Sequence, residues 1–293
     1  MIADVFAPAT TANLGPGFDV LGAALDLEAV FRVGDGPPGF RWPGGGELHG
    51  PNLFLTAFEA AFALRGLPVP QVGVEVRRAL PLRSGLGSSA SAICAGLRAA
   101  DLFLPEPLGD GASLAIAAGI EGHPDNVAAC LLGGITIASG VAQPLVRRLP
   151  APPLRAIALH PGGATSTPRS RAALPAAVER SAAVHNLGRT ALLVYALMAQ
   201  DFGLLREATA DQLHESERLA SCPWCSAARA AALGAGALAM PVSGSGPTML
   251  AIVEPERADA VLQALRPLAA AMPGAELWPL AFGDRGARSE PLG

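Results

Sequence analysis

The segment Pro81-Leu82-Arg83-Ser84-Gly85-Leu86-Gly87-Ser88-Ser89-Ala90-Ser91 limits the fold of this chain more than any other feature of its sequence. Before it, Val72-Gly73-Val74-Glu75-Val76 alternates with the two-residue period of a strand. After it, Ala90, Ile93, Cys94 and Leu97 recur at i, i+3, i+4 and i+7, which predicts a helix over 88–104 with one buried face, ended by Pro105 and Pro107. A strand that passes through glycines into a helix aims backbone N–H groups and the positive end of the helix dipole at one point. The pattern predicts an anion cradle. In isolation, Ser88 and Ser89 would serve equally well as N-caps.

Any such cradle works without lysine, because all 21 basic residues of the 293 are Arg. That excludes phosphate loops that depend on Lys, and it excludes Schiff-base chemistry. Backbone amides, hydroxyls, Arg and a metal ion remain to handle a phosphate. A net charge of −4, a pI near 5.7 and the lack of a basic run leave no footprint for nucleic acid or an anionic membrane, so a small-molecule partner is expected. No basic region precedes an apolar run at the N-terminus and no stretch is long enough to cross a bilayer, so a cytosolic protein is expected. In that compartment Cys94, Cys130, Cys222 and Cys225 are expected to stay unpaired, with Cys222-Pro223-Trp224-Cys225 a loop or helix start rather than a redox or zinc motif.

Strand-like and helix-like runs alternate along the rest of the chain without a strict βαβ rhythm or a repeat, which predicts an α+β fold. Leu27 to Val33 reads as a strand, and Leu53 to Arg65 as a helix capped by Asn52 and closed by Gly66. Between them 34–50 is rich in Gly and Pro and reads as a loop or weak hairpin, too polar and broken to be core. Helix 114–120, strand 133–138 and the Pro-rich run 150–153 follow, and that run is the best linker. It predicts two domains, 1–150 and 151–293. Beyond it come strand 155–159, a long helix over 182–200, further Ala-rich helix, strand 248–253, helix 255–271 and a last strand 277–282.

The string 81–91 resembles the phosphate loop of the GHMP kinases. Two more strings, in family order, extend the likeness. Ala7-Pro8-Ala9-Thr10-Thr11-Ala12-Asn13-Leu14-Gly15-Pro16-Gly17-Phe18-Asp19-Val20-Leu21-Gly22 is similar to the first motif, and Val242-Ser243-Gly244-Ser245-Gly246-Pro247-Thr248 to the third. The resemblance covers nearly the whole chain and is weakest over 34–50 and the last ten residues. It implies an N-terminal domain like domain 2 of ribosomal protein S5, a ferredoxin-like C-terminal domain, and a site in the groove between them. It also implies ATP with Mg²⁺, the nucleotide being held by Pro81 to Ser91, with Asn52 as a candidate adenine contact.

The acceptor is implied by further segments. Glu121-Gly122-His123-Pro124-Asp125-Asn126-Val127 has the form found in family members that phosphorylate L-homoserine, a step towards threonine. There Glu121 pairs with Ser89 on the metal (Ser88 being the fallback) and His123 and Asp125 face the acceptor. Asn126 stands where mevalonate kinase has its basic Asp, which leaves a dedicated base open. Ser166-Thr167-Pro168-Arg169-Ser170-Arg171-Ala172-Ala173-Leu174-Pro175 and Asn186-Leu187-Gly188-Arg189 also match. Asp211-Gln212-Leu213-His214-Glu215-Ser216-Glu217-Arg218 matches except that Ser216 and Glu217 replace Pro and Tyr. The resemblance thus counts Ser89, Glu121, Asn126 and Arg171 as catalytic, Arg171 and Arg218 as a clamp on the acceptor carboxylate, Thr167 as a further acceptor contact, and Asn13 and Asp19 for its amino and hydroxyl end. Another hydroxylated amino acid or alcohol is the alternative acceptor. A non-catalytic binding protein is disfavoured by the intact Gly85, Gly87, Ser88, Ser89 and Glu121. A homodimer is carried forward as one partner option.

Overall fold

The computed structural model describes residues 2–34, 38–42, 51–162, 167–220 and 222–292, with backbone alone at 167–169. Its first half is built on two long antiparallel strands, β1 (Ile2–Asn13) and β2 (Gly17–Gly34). Their register shifts between Pro8 and Thr10 and again between Ala12 and Asn13, bulges that bend the first-motif residues away from a flat ladder. The far end of β2 pairs with β4 (Gly73–Arg78), and its near end with β5 (Ile135–Ser139). With β3 (Gly39–Arg41), β6 (Leu145–Leu149) and β10 (Arg288–Pro291), these make a seven-stranded sheet among the described residues.

One face of that sheet carries α1 (Leu53–Arg65), α2 (Ser88–Ala100), α3 (Asp110–Glu121) and α4 (Asp125–Leu132), and the largest apolar cluster lies beneath them. Phe54, Phe58, Ile93 and Leu97 are fully buried there, each contributing about 1.5–3 kcal/mol over exposure. Asn52 caps α1 by accepting the Leu55 N–H, and Gly66 closes it in the left-handed conformation. At Gly96 a β-carbon would stand 2.2 Å from the Phe54 carbonyl oxygen, so α1 and α2 cross closely only because a glycine is there.

The second half holds the antiparallel sheet β8 (Met249–Val253), β7 (Arg155–His160) and β9 (Glu276–Ala281), in that order. Bridges Ala239↔Ile252 and Val242↔Met249 add a fourth, interrupted lane beside β8. Its core packs against α9 (Pro223–Gly234) and α10 (Ala258–Ala270). The segments α5 (Thr167–Ala172), α6 (Arg180–Ala199), α7 (Leu205–Ala208) and α8 (Glu215–Ala220) lie between β7 and α9 in the chain. A third apolar cluster joins Leu14 and Leu21 of the first half to Leu193 and Ala196 of α6. Among the described residues no helix is long and apolar enough to cross a membrane.

Several expectations change. The strand expected at 27–33 is the end of an 18-residue strand, because Gly22 and the small residues Ala23 and Ala24 let its first half continue under α4. The helix predicted over 88–104 stops at Ala100, where the Asp101 side chain accepts the Leu108 N–H and turns the chain before the prolines. Within 34–50, β3 pairs parallel with β4 rather than forming a hairpin, and Phe40 and Trp42 pack on the core. Cys222 and Cys225, expected as thiols, are joined in a disulfide. Cys222 sits at the N-cap of α9 with Pro223 next, and one helical turn brings the two α-carbons to 5.6 Å, within disulfide reach.

Candidate active site

Three glycine-bearing turns meet at the heart of the molecule. The Thr10 N–H donates to Leu86 O at 3.1 Å and the Gly244 N–H to Ala12 O at 3.1 Å, tying the first motif to the other two. The Ser243 hydroxyl bonds both Gly85 O (2.6 Å) and the Thr11 hydroxyl (2.9 Å). Gly87 sits at φ 67°, and a β-carbon there would meet Thr10 Oγ1 at 1.9 Å. The loop therefore reaches the N-terminus of α2 in a conformation and a space that only glycine accepts. Ser84 is consumed inside the turn, donating to Pro81 O and accepting the Leu86 N–H.

The turns wall a cavity of about 430 Å³ that also receives side chains from α3, α4, α5 and α8. At the loop end, Ser89 Oγ donates to Glu121 Oε1 at 2.6 Å. Burial pushes the Glu121 carboxyl above its ordinary range, and the Ser89 bond reverses only part of that. Asp125 accepts the Asn126 N–H at 2.7 Å and lies 2.6 Å from His123 Nδ1. Burial works against a charged His123, yet its bond to Asp125 and the charges of Asp125, Glu121 and Asp19 hold its pKa above the ordinary histidine value. Asn126 Oδ1 accepts from Thr10 Oγ1 at 2.7 Å. Asp19, His123 and Asp125 offer ligand atoms all within 4.8 Å of one another.

Two arginines close the opposite end. Arg171 forks onto Asp19 at 2.8 and 2.7 Å, and that bond raises the guanidinium pKa. Arg218 donates from Nη1 to Gly244 O at 2.6 Å and to His214 Nδ1 at 2.8 Å. His214 Nε2 lies 2.7 Å from Gly15 O, so its proton is on Nε2 and the ring is neutral. Burial depresses the pKa of both His214 and Arg218. Beneath the pair lies Phe18, its ring centre 5.3 Å from the Arg171 guanidinium, 5.6 Å from that of Arg218 and 5.1 Å from the His214 ring. Asn13 braces the floor: its Nδ2 donates to Gly244 O, and its Oδ1 accepts the Asp19 N–H.

A second, apolar cavity of about 470 Å³ opens on the other side of the α2 N-terminus, lined by Phe31, Phe40, Trp42, Phe54 and Leu80 among others. It shares Arg83, Ser88 and Ser89 with the first, so the loop lies between a greasy slot and a charged one.

Two family models match this chain, the GHMP kinases N terminal domain over residues 52–134 and the GHMP kinases C terminal domain over 193–270. The homoserine kinase of Desulfitobacterium hafniense is 40% identical over 271 residues, which cover 88% of this chain and 89% of that one. The chain belongs to the GHMP kinase family. This GHMP kinase is also 39% identical to the homoserine kinase of Thermus thermophilus, with 89% of this chain and 90% of the relative covered. Among solved structures, the homoserine kinase from Cytophaga hutchinsonii matches with a TM-score of 0.87 at 31% identity, over 99% of this chain and 97% of the other. The L. major mevalonate kinase, at 16% identity and a TM-score of 0.71 over 96% of each chain, shares the fold.

This GHMP kinase brings most of the residues singled out from the sequence to one place. Asn13, Asp19, Arg83, Gly85, Gly87, Ser88, Ser89, Glu121, His123, Asp125, Asn126, Arg171 and Arg218 all line the charged cavity. Asn52, Leu82 and Ser91 line the apolar one instead, while the side chains of Leu86 and Ala90 are buried in the core and Pro81 serves the turn through its carbonyl. The side chain of Thr167 lies outside the described residues. Ser216 and Glu217, the departures from the family pattern, line two other cavities and not this one. Sequence reasoning missed Phe18, whose signal was its place directly before Asp19, and the pair Phe40 and Trp42, the aromatic residues inside a Gly- and Pro-rich stretch.

Proposed function

We propose that this GHMP kinase transfers the γ-phosphoryl group of ATP to the hydroxyl of L-homoserine, giving ADP and O-phospho-L-homoserine, a step towards threonine. The observation that carries the acceptor assignment is the charge layout of the 430 Å³ cavity: Asp19 and Asp125 stand together, and Arg171 and Arg218 stand beside them. An amino acid presents the complementary pattern, an ammonium group and a carboxylate on neighbouring atoms. Relatives named homoserine kinase, 39–40% identical over nearly nine-tenths of the chain, support the same acceptor.

In this reading the apolar cavity takes the adenine, and the loop from Gly85 to Ser89 takes the phosphates on backbone N–H groups at the positive end of α2. Ser89 and Glu121 would hold Mg²⁺, which neutralises charge on the phosphate oxygens when bound. The pair fits a hard cation, because two oxygens 2.6 Å apart face the cavity and the burial of the carboxyl is only partly offset by the Ser89 bond and the charge of His123. Asp125 and Asp19 hold the ammonium group, and His123 orients Asp125. Arg218, fixed by His214, takes the carboxylate, and Arg171 swings part of its fork from Asp19 to share it. Asn126 is locked to Thr10 and is no base, so alignment and charge stabilisation carry the step. Residues 1–150 would supply the nucleotide side and 151–293 the acceptor clamp.

The direct test is ADP release measured with L-homoserine, serine, threonine, mevalonate and shikimate as competing acceptors. The highest kcat/KM is expected for L-homoserine. Equal use of mevalonate or shikimate would sink the amino-acid reading and favour a hydroxy acid without an ammonium group.

A further inference from the structure

The Cys222-Pro223-Trp224-Cys225 motif has no part in the proposed reaction, yet its disulfide stands at the back of the charged wall. Cys222, Trp224 and Cys225 line a third cavity, of about 510 Å³, whose other walls include Glu217, Arg218 and Ser245. Arg218 and Ser245 also line the charged cavity, so the disulfide and the site share a wall. The helix that bears Arg218, α8, is six residues long and is held at both ends. At its start the Asp211 carboxylate accepts the N–H groups of Leu213, His214 and Glu215 at 3.0, 2.8 and 2.8 Å. Just past its end the Cys222 N–H donates to Leu219 O at 2.9 Å, and the Cys222 sulfur is bonded to Cys225. Cys225 is buried in the second apolar cluster with Ala228 and Val261. The disulfide thus ties the far end of the Arg218 helix to a fixed core.

We infer that Cys222 and Cys225 form a thiol–disulfide exchange site, opened by a small-molecule dithiol, whose state sets how firmly Arg218 meets the acceptor. Burial decides which sulfur is attacked: Cys222 is half-buried, whereas Cys225 is 2% exposed. A thiolate of the reductant attacks Cys222 Sγ, the S–S bond breaks, and Cys225 leaves as a thiolate. That thiolate lies in the first turn of α9, at the positive end of the helix dipole, which makes it a good leaving group. It then takes up the proton that the reductant's thiol released. The second thiol of the reductant attacks the mixed disulfide, Cys222 is freed as a thiol, and the reductant closes into its own disulfide. Two electrons pass from the dithiol to the protein. Without the tie, α8 keeps the hold at its start and loses part of the hold at its end, so Arg218 is less well fixed. The effect on the acceptor rests on the assignment of Arg218 to its carboxylate, and the exchange chemistry does not.

Thiol labelling and kinetics on the full chain test the two parts separately. Purified without reductant and unfolded in iodoacetamide, the parent should label at Cys94 and Cys130 but not at Cys222 or Cys225. Once the folded protein has met dithiothreitol, Cys222 should label in the folded state and Cys225 only on unfolding. Reduction should raise the KM for L-homoserine about 3- to 10-fold, less than losing the Arg218 bond itself, with kcat and the KM for ATP unchanged. Oxidised dithiothreitol should restore the lower value. Cys222→Ser and Cys225→Ser should each show the raised KM and no response to dithiothreitol, and Arg218→Ala should raise that KM further than reduction does. Label on Cys222 and Cys225 before reduction, one KM in both redox states, or a Cys222→Ser variant that still responds would overturn the proposal. A KM that rises on reduction but not with Arg218→Ala would keep the exchange site and remove Arg218 from the carboxylate.

Discussion

The glycine loop at 85–89 and the charged wall of Asp19, Asp125, Arg171 and Arg218 line one cavity and are built in opposite ways. The loop is one contiguous stretch whose working groups are backbone N–H donors and short hydroxyls, held by Thr10, Thr11 and Ser243 from either side. The wall is assembled from distant segments, and its long charged side chains are satisfied by one another: Arg171 by Asp19, His123 by Asp125, Arg218 by His214. A backbone cradle is fixed as soon as its glycines are placed. A charged wall is preorganised by its own ion pairs and can exchange one of them for a ligand. Damage to the loop should therefore strike turnover, and damage to the wall should strike acceptor binding.

The sharpest way to break that contrast is at the loop's edge. Ser89→Ala and Glu121→Gln should each lower kcat by about 10²-fold or more with the fold intact, because charge stabilisation is lost where charge develops. Near-normal turnover in both would remove this pair from the proposed mechanism. Next comes Arg171→Ala, which should raise the KM for L-homoserine about 10- to 30-fold and leave the KM for ATP nearly unchanged. The figure sits at the low end for a charge-assisted bond because the Arg171 side chain is half-exposed. Arg171→Lys should rescue only in part, having charge without the fork. An equal rise in both KM values would mean that wall and loop are not separable.

A smaller effect comes from pH. The folded-state pKa of His214 lies below the ordinary value of about 6.5, so the unfolded chain takes up a proton first as pH falls. The stabilising contribution is whole above that ordinary value and is lost as pH drops from there through the folded-state pKa. Urea unfolding at pH 7.5 and at pH 5.5 should show the parent losing more stability than His214→Gln over the same interval. Equal losses would mean that His214 does not titrate differently in the two states. Smallest is Phe18→Leu, which removes the ring beneath both guanidiniums while keeping bulk. It should raise the KM for L-homoserine about 2- to 5-fold, the worth of an exposed cation–π contact, and leave kcat alone.

Sequence determined what is local. The strand, glycine turn and amphipathic helix around 81–97 were legible because period, φ and capping are properties of neighbouring residues, and Asn52 and Gly66 bounded α1 for the same reason. The identities of Glu121, Asp125, Arg171 and Arg218 were legible too, as motif residues. Their partners were not. That Arg171 forks onto Asp19, that His214 bonds Gly15, and that Phe18 lies under both arginines depend on contacts spanning about 150 to 200 positions, which no periodicity encodes. Strand β10 was missed because four residues near a chain end carry little pattern, and it pairs only because β1 leaves an edge for it. The greasy slot went unread because Phe40 and Trp42 sit among glycines and prolines, and it takes β3 lying beside β4 to bring them to the core. Chain chemistry thus set which groups the loop and the wall carry, and the packing of distant segments decided which of them meet, since burial and pairing are set by neighbours in space.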